Sequence, residues 1–218
     1  MEKTGIRKFD YFRTYYFEGA TKVGPYGFPK IKGTQSIPRN VISISEVSGY
    51  RKDRNCRWVD HYVDDEKFVY AWNNLDSRIS LYKQFEGVIG FDHSLDCSFQ
   101  LGQNIWNCTK NRNADYYLQQ HGIDVIPSVS WCDKSSFEWC LYGLPKYSSL
   151  AVSSNGCLSN DDSLEMFLYG INVIQNRLEP SHLIVCGRAM DELSSYSNIY
   201  YYPCFSTRMK ERRKLNGR

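Results

Sequence analysis

The stretch from Gly87 to Trp131, GVIGFDHSLDCSFQLGQNIWNCTKNRNADYYLQQHGIDVIPSVSW, decides the fold. It begins with a short apolar run that stops at Asp92, and it ends with a second apolar run, Ile123 to Val129. Apolar residues at roughly helical spacing lie between the two runs, and Gly122 stands where a C-terminal helix cap is expected. The stretch therefore predicts a strand, a crossover helix and a second strand parallel to the first.

The same alternation of apolar runs and helical patterns continues along the chain. Strands separated by helical stretches of about ten to twenty residues are typical of βαβ units. We therefore predict an α/β fold with parallel strands and crossover helices, arranged as a small or partial (β/α) barrel. An open doubly wound sheet is the alternative, but neither GxGxxG nor the P-loop pattern that such sheets often carry is present.

The 218 residues fit a single α/β domain, predicted over residues 41–206. Residues 1–40 are rich in turn formers and aromatic side chains, and they are predicted to be an extended arm that packs on the domain. Residues 207–218 form a basic tail, in a chain of net charge +3. The tail is predicted to be either a solvated terminus or a contact to nucleic acid, and both interpretations stay open. The candidate nucleic-acid contacts are Arg208, Lys210, Arg212, Arg213 and Lys214.

Composition excludes several classes of protein. With 42% hydrophobic and 15% aromatic residues the chain is not disordered, and it shows no apolar run long enough for a bilayer and no secretory signal. The eight cysteines include no CxxC pair, which favours free thiols in the cytoplasm. A zinc site would normally show pairs of ligand residues at close spacing in the sequence. The pair that comes nearest to this pattern is Asp92 with His93, and it is a weak match. Neither a metal nor a cofactor is therefore expected.

Polar residues follow the predicted strands where each one ends, and they are the candidate site. Asp92 is the candidate base or nucleophile, because burial at a strand end would shift the pKa of its carboxyl group, and the adjacent His93 is the second catalytic candidate. Trp131 would stack on a nucleobase or sugar, and Arg188 would hold a phosphate or carboxylate. The other predicted ligand-binding residues are Ser94, Asn107, Arg112 and Ser154. The structural alternative is that Asp92 caps the following turn and His93 bonds locally. Asn107 and Arg112 would then satisfy a neighbouring loop, and Trp131 and Arg188 would only pack at the rim.

An ordered series of motifs resembles a known family. The motifs are IPRN at Ile37–Asn40, WVDHYVDDEKF at Trp58–Phe68, FDHSL at Phe91–Leu95, QxIWN ending at Asn107, HGIDVIPSVSW at His121–Trp131, FEWCLYGLPK at Phe137–Lys146, LAVSSNG at Leu150–Gly156 and IVCG at Ile184–Gly187. Their succession is similar to the phage and mobile-element family catalogued as domain of unknown function 4417. The resemblance implies a mobile-element origin, hence the cytoplasm of a host cell if the chain is phage-encoded, and it implies no reaction.

The chain departs from the family pattern at three places. The family's strand end usually reads like PDFS, so His93 replaces an aromatic residue. Thr109 and Lys110 stand at an aromatic and a basic position, and Asp115 stands where the family has a helix glycine. These changes fit a shifted pocket or a diverged substrate, and they fit drift in a noncatalytic homologue equally well.

Two classes of function follow. The first is an enzyme acting on a nucleobase, nucleotide or nucleic acid through glycosidic-bond or base-directed chemistry at Asp92. The second is a noncatalytic phage factor that binds nucleic acid, a host nucleotide signal or a host defence protein through the same rim. The sequence leaves the choice open, since no complete catalytic triad, metal cluster or phosphate loop is recognisable in it.

Overall fold

Parallel strands and helices alternate along the computed structural model, which describes residues 10–157 and 160–216, without the side chains at 211, 212, 215 and 216. The strands are β1 Lys22–Val23, β2 Phe28–Pro29, β3 Val41–Ser43, β4 Trp58–Asp60, β5 Gly87–Ile89, β6 Val125–Ile126, β7 Ser149–Ser153, β8 His182–Cys186 and β9 Ile199–Tyr202. The helices are α1 Val69–Asn73, α2 Leu75–Tyr82, α3 Leu101–Gln120, α4 Asp161–Leu178 and α5 Phe205–Asn216. Short 3-10 helices lie at Thr14–Phe17, Arg54–Cys56, Asp65–Lys67, Ser135–Glu138 and Asp191–Leu193.

The seven strands from β3 to β9 are parallel and follow one another in chain order. They form the sheets β3-β4-β5-β6 and β7-β8-β9, and a parallel bridge between Ser128 and Ala151 joins the two sheets. The bridge consists of hydrogen bonds from Val129 N–H to the Ala151 carbonyl (2.8 Å) and from Ala151 N–H to the Pro127 carbonyl (2.9 Å). The predicted α/β class with parallel strands is confirmed, and the order shows none of the reversal that defines a doubly wound sheet.

The strands enclose a common interior in the manner of a partial barrel. Each of the seven parallel strands contributes to one apolar cluster, which contains Val41, Trp58, Tyr62, Ile89, Ile126, Ala151, Ile184 and Cys186, with Ile37, Tyr200 and Tyr202 packed against it. Alternate positions of the same strands face the helices instead, because side chains alternate across a strand. Among the described residues no strand pairing joins β9 to β3, so the barrel is not closed; the Tyr202 hydroxyl donates to the Pro38 carbonyl near that gap.

The predicted crossover helix between β5 and β6 is confirmed as α3. Gln100 and Gln103 form a reciprocal capping box at its start. Gly122 adopts φ +75° at its end, where its N–H donates to Gln119 and the N–H of Ile123 donates to Leu118. The glycine is required there because an L side chain rarely adopts this left-handed conformation.

The described part of the N-terminal arm packs on the domain. Tyr16 is fully buried, and its hydroxyl donates to the Trp72 carbonyl at 2.8 Å. Further along the arm, Ser149 N–H of β7 donates to the Thr34 carbonyl at 2.8 Å. Residues 1–9 of the predicted arm lie outside the described residues.

The basic tail is helical through Asn216, as part of α5. Arg208 turns inward, since its guanidinium lies 3.0 Å from Glu46 and 3.6 Å from Asp60, with 14% of the side chain exposed. Lys210, Arg213 and Lys214 are exposed; the side chain of Arg212 and residues 217–218 lie outside the described part. No described helix combines the length and apolarity needed to cross a membrane.

Candidate functional site

A cavity of about 820 Å³ opens at the carboxyl ends of the parallel strands. Each of the four strands from β4 to β7 supplies lining residues just beyond its end: Tyr62 after β4, Asp92 and Ser94 after β5, Ser130 and Trp131 after β6, and Asn155 after β7. α4 closes one side with Met166 and Phe167. This is the edge at which barrel-type α/β proteins assemble their sites, since the strand ends converge there.

Asp92 lies in the wall of this cavity and is partly exposed. Its Oδ1 accepts hydrogen bonds from the hydroxyl groups of Ser130 and Ser128, the latter at 3.3 Å. Burial raises the pKa of the Asp92 carboxyl group to about 6, against the opposing effect of these hydrogen bonds, and the negative charge of Asp65 adds to the rise. A carboxyl group that titrates near neutral pH can both accept and donate a proton under working conditions.

A hydroxyl relay extends from Asp92 into the interior. The Tyr62 hydroxyl lies 3.0 Å from Ser128 Oγ, which in turn donates to Asp92. Ser130 directly follows an apolar strand, so the sequence places it among the polar residues at the strand ends. Tyr62 and Ser128 were not predicted to belong to the site, and nothing in the sequence marks Ser128.

Trp131 is held rigidly against α4. Its Nε1 donates to the Met166 carbonyl at 3.3 Å, and its ring lies 5.8 Å from that of Phe167 at an interplanar angle of 29°. A Cβ atom on Gly170 would come within 2.2 Å of the indole, so only glycine lets the helix approach this closely. The Phe137 ring also packs on the indole, with centroids 5.7 Å apart and an interplanar angle of 34°. Trp131 therefore lines the cavity in an orientation fixed by the protein, and stacking on a nucleobase or sugar stays a prediction.

Ser94 lines the cavity, and the Asn107 side chain bonds to the Ser94 backbone from outside the lining. The backbone N–H and the hydroxyl of Ser94 both donate to Asp65, the hydroxyl at 2.8 Å. Asn107 Nδ2 donates to the Ser94 carbonyl at 2.6 Å, and Asn107 is not among the described lining residues. Asn107 therefore positions the loop after β5.

The structure places the His93 ring in the core. The residue is 2% exposed, and both its backbone N–H and its Nδ1 lie 2.8 Å from Asn111 Oδ1. Burial lowers the pKa of the imidazole to about 3, with the charge of Lys110 as the next cause. His93 is absent from the described cavity lining, so the structure does not bring it to the cavity beside Asp92 as predicted from their adjacency.

Arg112 is also buried, with 1% exposure. Its guanidinium donates to three backbone carbonyls, those of Ser128 (3.1 Å), Cys140 (2.8 Å) and Tyr142 (3.3 Å). Asp115, which stands at the family's glycine position, lies nearby in the core, where burial raises the pKa of its carboxyl group to about 8 and Arg112 opposes the rise. Arg112 thus ties the end of β6 to the segment around Cys140 rather than lining the cavity.

Ser154 and Arg188 lie at the same sheet edge as Asp92 and Trp131, since the four residues follow β7, β8, β5 and β6. Ser154 is buried and packs closely against Gly187. A Cβ atom placed on Gly187 would lie only 1.8 Å from the Ser154 hydroxyl oxygen. Arg188 is exposed. Neither is among the described lining residues, so of the predicted site residues the cavity brings together Asp92, Ser94 and Trp131.

The charge of the cavity is the feature that most restricts its ligand. No lysine, arginine or histidine is among the described lining residues, whereas five aspartates are: Asp64, Asp92, Asp96, Asp133 and Asp162. Side chains of one sign repel a ligand of the same sign. By its own side chains the cavity therefore favours neutral or cationic ligands over phosphate.

Comparisons with known proteins support the family resemblance. The family described as Domain of unknown function (DUF4417) matches residues 20–203. The Gene 1 protein of Mycobacterium phage L5 is 29% identical over 197 residues, which cover 88% of this chain and 85% of that protein. The Gene 1 protein of Mycobacterium phage D29 is 24% identical over 171 residues, covering 75% of this chain and 61% of that protein. No solved structure matches the chain.

Proposed function

The chain belongs to the Domain of unknown function (DUF4417) family, and we propose that its cavity binds a neutral nucleobase or nucleoside on which Asp92 carries out base-directed or glycosidic-bond chemistry. The observation that carries the proposal is the pairing of a carboxyl group of pKa about 6 with a fixed aromatic ring in one cavity. The relatives are phage proteins, and their names state no activity.

The lining supplies what such a ligand needs. The part of the Trp131 indole that lines the cavity would contact a planar base. The hydroxyl groups of Ser130, Ser94 and Tyr62 can satisfy the polar edges of a base or the hydroxyl groups of a sugar. Because the five aspartates disfavour a phosphate group, a nucleoside or free base fits better than a nucleotide.

The carboxylate form of Asp92 would act in one of two ways. It would take the proton from a water molecule that attacks the glycosidic carbon, so that the carbon–nitrogen bond breaks and the base leaves with a proton from solvent. Alternatively, it would attack that carbon itself and displace the base, and water would then hydrolyse the resulting glycosyl ester. Both roles need the charged form, so the Ser130 and Ser128 hydroxyl groups that bond to Oδ1 would orient the carboxylate without neutralising it.

The proposal predicts a rate that rises with pH through the pKa of Asp92. Purified protein incubated with each common ribo- and deoxynucleoside is expected to release free base, measured by chromatography. The rate should increase about tenfold per pH unit below pH 6 and level off above it, because the ionised fraction of a group of pKa about 6 follows that curve. Absence of base release together with no ligand-induced rise in melting temperature, for every nucleoside and base tested, would contradict the proposal.

A second candidate, nucleic-acid binding outside the cavity, is supported by the exposed cations of α5. Replacing Lys210, Arg213 and Lys214 together by alanine is expected to weaken DNA binding and to reduce its salt dependence, by roughly 0.9 in log–log slope for each phosphate that the variant no longer neutralises. Arg208 is left unchanged, since it pairs with Glu46. The measurement is fluorescence anisotropy at several salt concentrations.

The matched control removes three exposed cations elsewhere, Lys22, Lys30 and Lys32. If both triple variants bind DNA with the same affinity and slope as the unmodified chain, the basic face of α5 does not contact nucleic acid. Binding of a host nucleotide signal or of a host defence protein stays a prediction from sequence.

A further inference from the structure

We propose that Cys97, Cys132 and Asp133 bind a thiophilic divalent metal ion at the cavity. The two thiol sulfur atoms and a carboxylate oxygen of this cluster lie within 4.8 Å of one another, and all three residues line the cavity. Zinc bonds of about 2.3 Å to sulfur and 2.0–2.2 Å to oxygen place tetrahedral ligand atoms roughly 3.5–3.8 Å apart. Small side-chain movements would therefore complete the site. Cys97 is exposed, and its thiol donates to the Cys132 carbonyl at 3.1 Å, a bond that it would give up on losing its proton to bind the ion.

Hydrogen bonds already hold the cluster in place from two sides. Asn104 of α3 fixes the Cys97 loop, because its side chain bonds to both the N–H (3.0 Å) and the carbonyl (2.8 Å) of Asp96. Asp133 Oδ1 accepts from the Ser136 N–H (2.7 Å) and the Ser135 hydroxyl (2.8 Å), and these two bonds fix the orientation of the carboxylate.

The sulfur of Cys132 has an outer partner of the kind that tunes metal ligands. Asn104 Nδ2 lies 3.8 Å from Cys132 Sγ, and such a hydrogen bond stabilises a thiolate. The backbone N–H of Cys132 donates to Ser136 Oγ at 3.2 Å, so Ser136 anchors Cys132 as well as Asp133. Asn104 and Ser136 are both buried, and they therefore form a rigid support beneath the three ligands.

Ligand chemistry indicates the class of ion. Two thiolates and one carboxylate suit zinc, since soft sulfur ligands select against magnesium and calcium. On binding, each thiol gives its proton to solvent, so one Zn²⁺ displaces two protons. Three protein ligands leave the fourth position for water or a ligand in the cavity. Because the two thiolates offset the charge of the ion, zinc binding leaves the net charge of the cavity unchanged.

The metal site is independent of the chemistry proposed for Asp92. The proposed site also differs from the prediction made from the sequence, in which no metal was expected. Cys97 follows β5 and Cys132 follows β6, 35 residues later, and the two meet because parallel strand ends share one edge. A search for closely spaced ligand pairs cannot find such a site.

The test uses the whole reduced chain, without an affinity tag, after removal of metals by chelation. Titration with Zn²⁺ against a chromophoric chelator should show one tight site per chain, and Co²⁺ should give a thiolate charge-transfer band in the near ultraviolet. Cys97→Ser and Cys132→Ser should each lower zinc affinity by more than the roughly 10- to 100-fold that loss of an outer-shell partner costs, and each should abolish or weaken that band. The control is Cys157→Ser, because Cys157 lines the same cavity outside the cluster, and this variant should bind as the unmodified chain does.

Two results would overturn the inference: an unmodified chain without a stoichiometric zinc site, or serine variants at 97 and 132 that bind zinc as tightly as the Cys157 variant. Asp92→Asn separates this proposal from the base-directed function. It should retain zinc affinity within a few fold, whatever it does to base release.

Discussion

Asp92→Asn is expected to lower base release by roughly 10²- to 10⁴-fold, the contribution of a positioned base or nucleophile, while the melting temperature stays the same or rises slightly. Asparagine keeps the shape of the side chain and an oxygen that can accept from the Ser130 and Ser128 hydroxyl groups. It lacks the negative charge that either catalytic role requires. Activity and stability should therefore separate in this variant.

The stability of the variant should depend on pH in a defined direction. Burial raises the pKa of Asp92 to about 6, above its ordinary value of 3.8, so the folded chain binds a proton more tightly than the unfolded chain. That contribution to the stability of the unmodified chain is fully present below about pH 4 and is lost as pH rises through 6. Asparagine should therefore stabilise the fold relative to aspartate above pH 6, and this advantage should disappear in acid.

Asp162→Asn is the matched control. Asp162 lines the same cavity from the first turn of α4 and is exposed, so its replacement makes the same change in charge away from the hydroxyl groups that hold Asp92. A loss of activity in both variants would indicate that cavity charge matters rather than the Asp92 carboxylate. Full activity in Asp92→Asn would remove the enzyme interpretation and leave the noncatalytic phage factor.

The sequence predicts the fold well where the determining pattern is local. The apolar runs that end at Asp92 and Val129, the helix between them and its cap at Gly122 depend on neighbouring residues, and the structure contains all of them. Parallel pairing then follows from the crossover helix, and it places the strand ends at one edge. The location of the cavity could therefore be predicted before its lining was known.

The direction in which individual side chains point could not be predicted in the same way. His93 is next to Asp92 in sequence, but the backbone beyond β5 turns its ring into the core against Asn111. Arg112 resembles an ordinary helix cation, and its burial depends on carbonyl groups 16 to 30 residues away. Such contacts are set by tertiary packing.

The negative charge of the cavity is a second property that could not be predicted, because the composition gives only the net charge of the chain. The chain carries a net charge of +3, but the cavity collects five aspartates while exposed cations lie on α5. The segregation arises because loops after separate strands each contribute an acidic residue to one edge. Arg188, the residue predicted to hold a phosphate or carboxylate, is not among the described residues of this acidic lining, and its contact stays a prediction.

Arg112→Ala is expected to destabilise the protein by about 3–5 kcal/mol, the largest effect on stability among the predicted site residues. The change removes a buried guanidinium, and the carbonyl groups of Ser128, Cys140 and Tyr142 lose the hydrogen bonds that it donates; the Cys140 carbonyl keeps a weak one from the Cys108 thiol at 3.9 Å. A buried carbonyl without a partner costs about 1–3 kcal/mol, and some of that cost is recovered if water enters. For a domain of this size the melting temperature should fall by roughly 6–20 °C.

Arg112→Lys separates the hydrogen-bond geometry from the charge. A lysine ammonium is a point charge on a flexible stem, and it cannot reproduce the planar fork that reaches three carbonyl groups on two segments. We therefore expect this variant to lose most of the stability that alanine loses. Arg188→Ala is the control at the same sheet edge, and because Arg188 is exposed its effect should stay within about 0.5 kcal/mol. Urea unfolding measures the stability of all three variants. If the Arg112→Ala chain unfolds like the unmodified chain but no longer binds nucleosides, Arg112 has the ligand-binding role predicted from sequence.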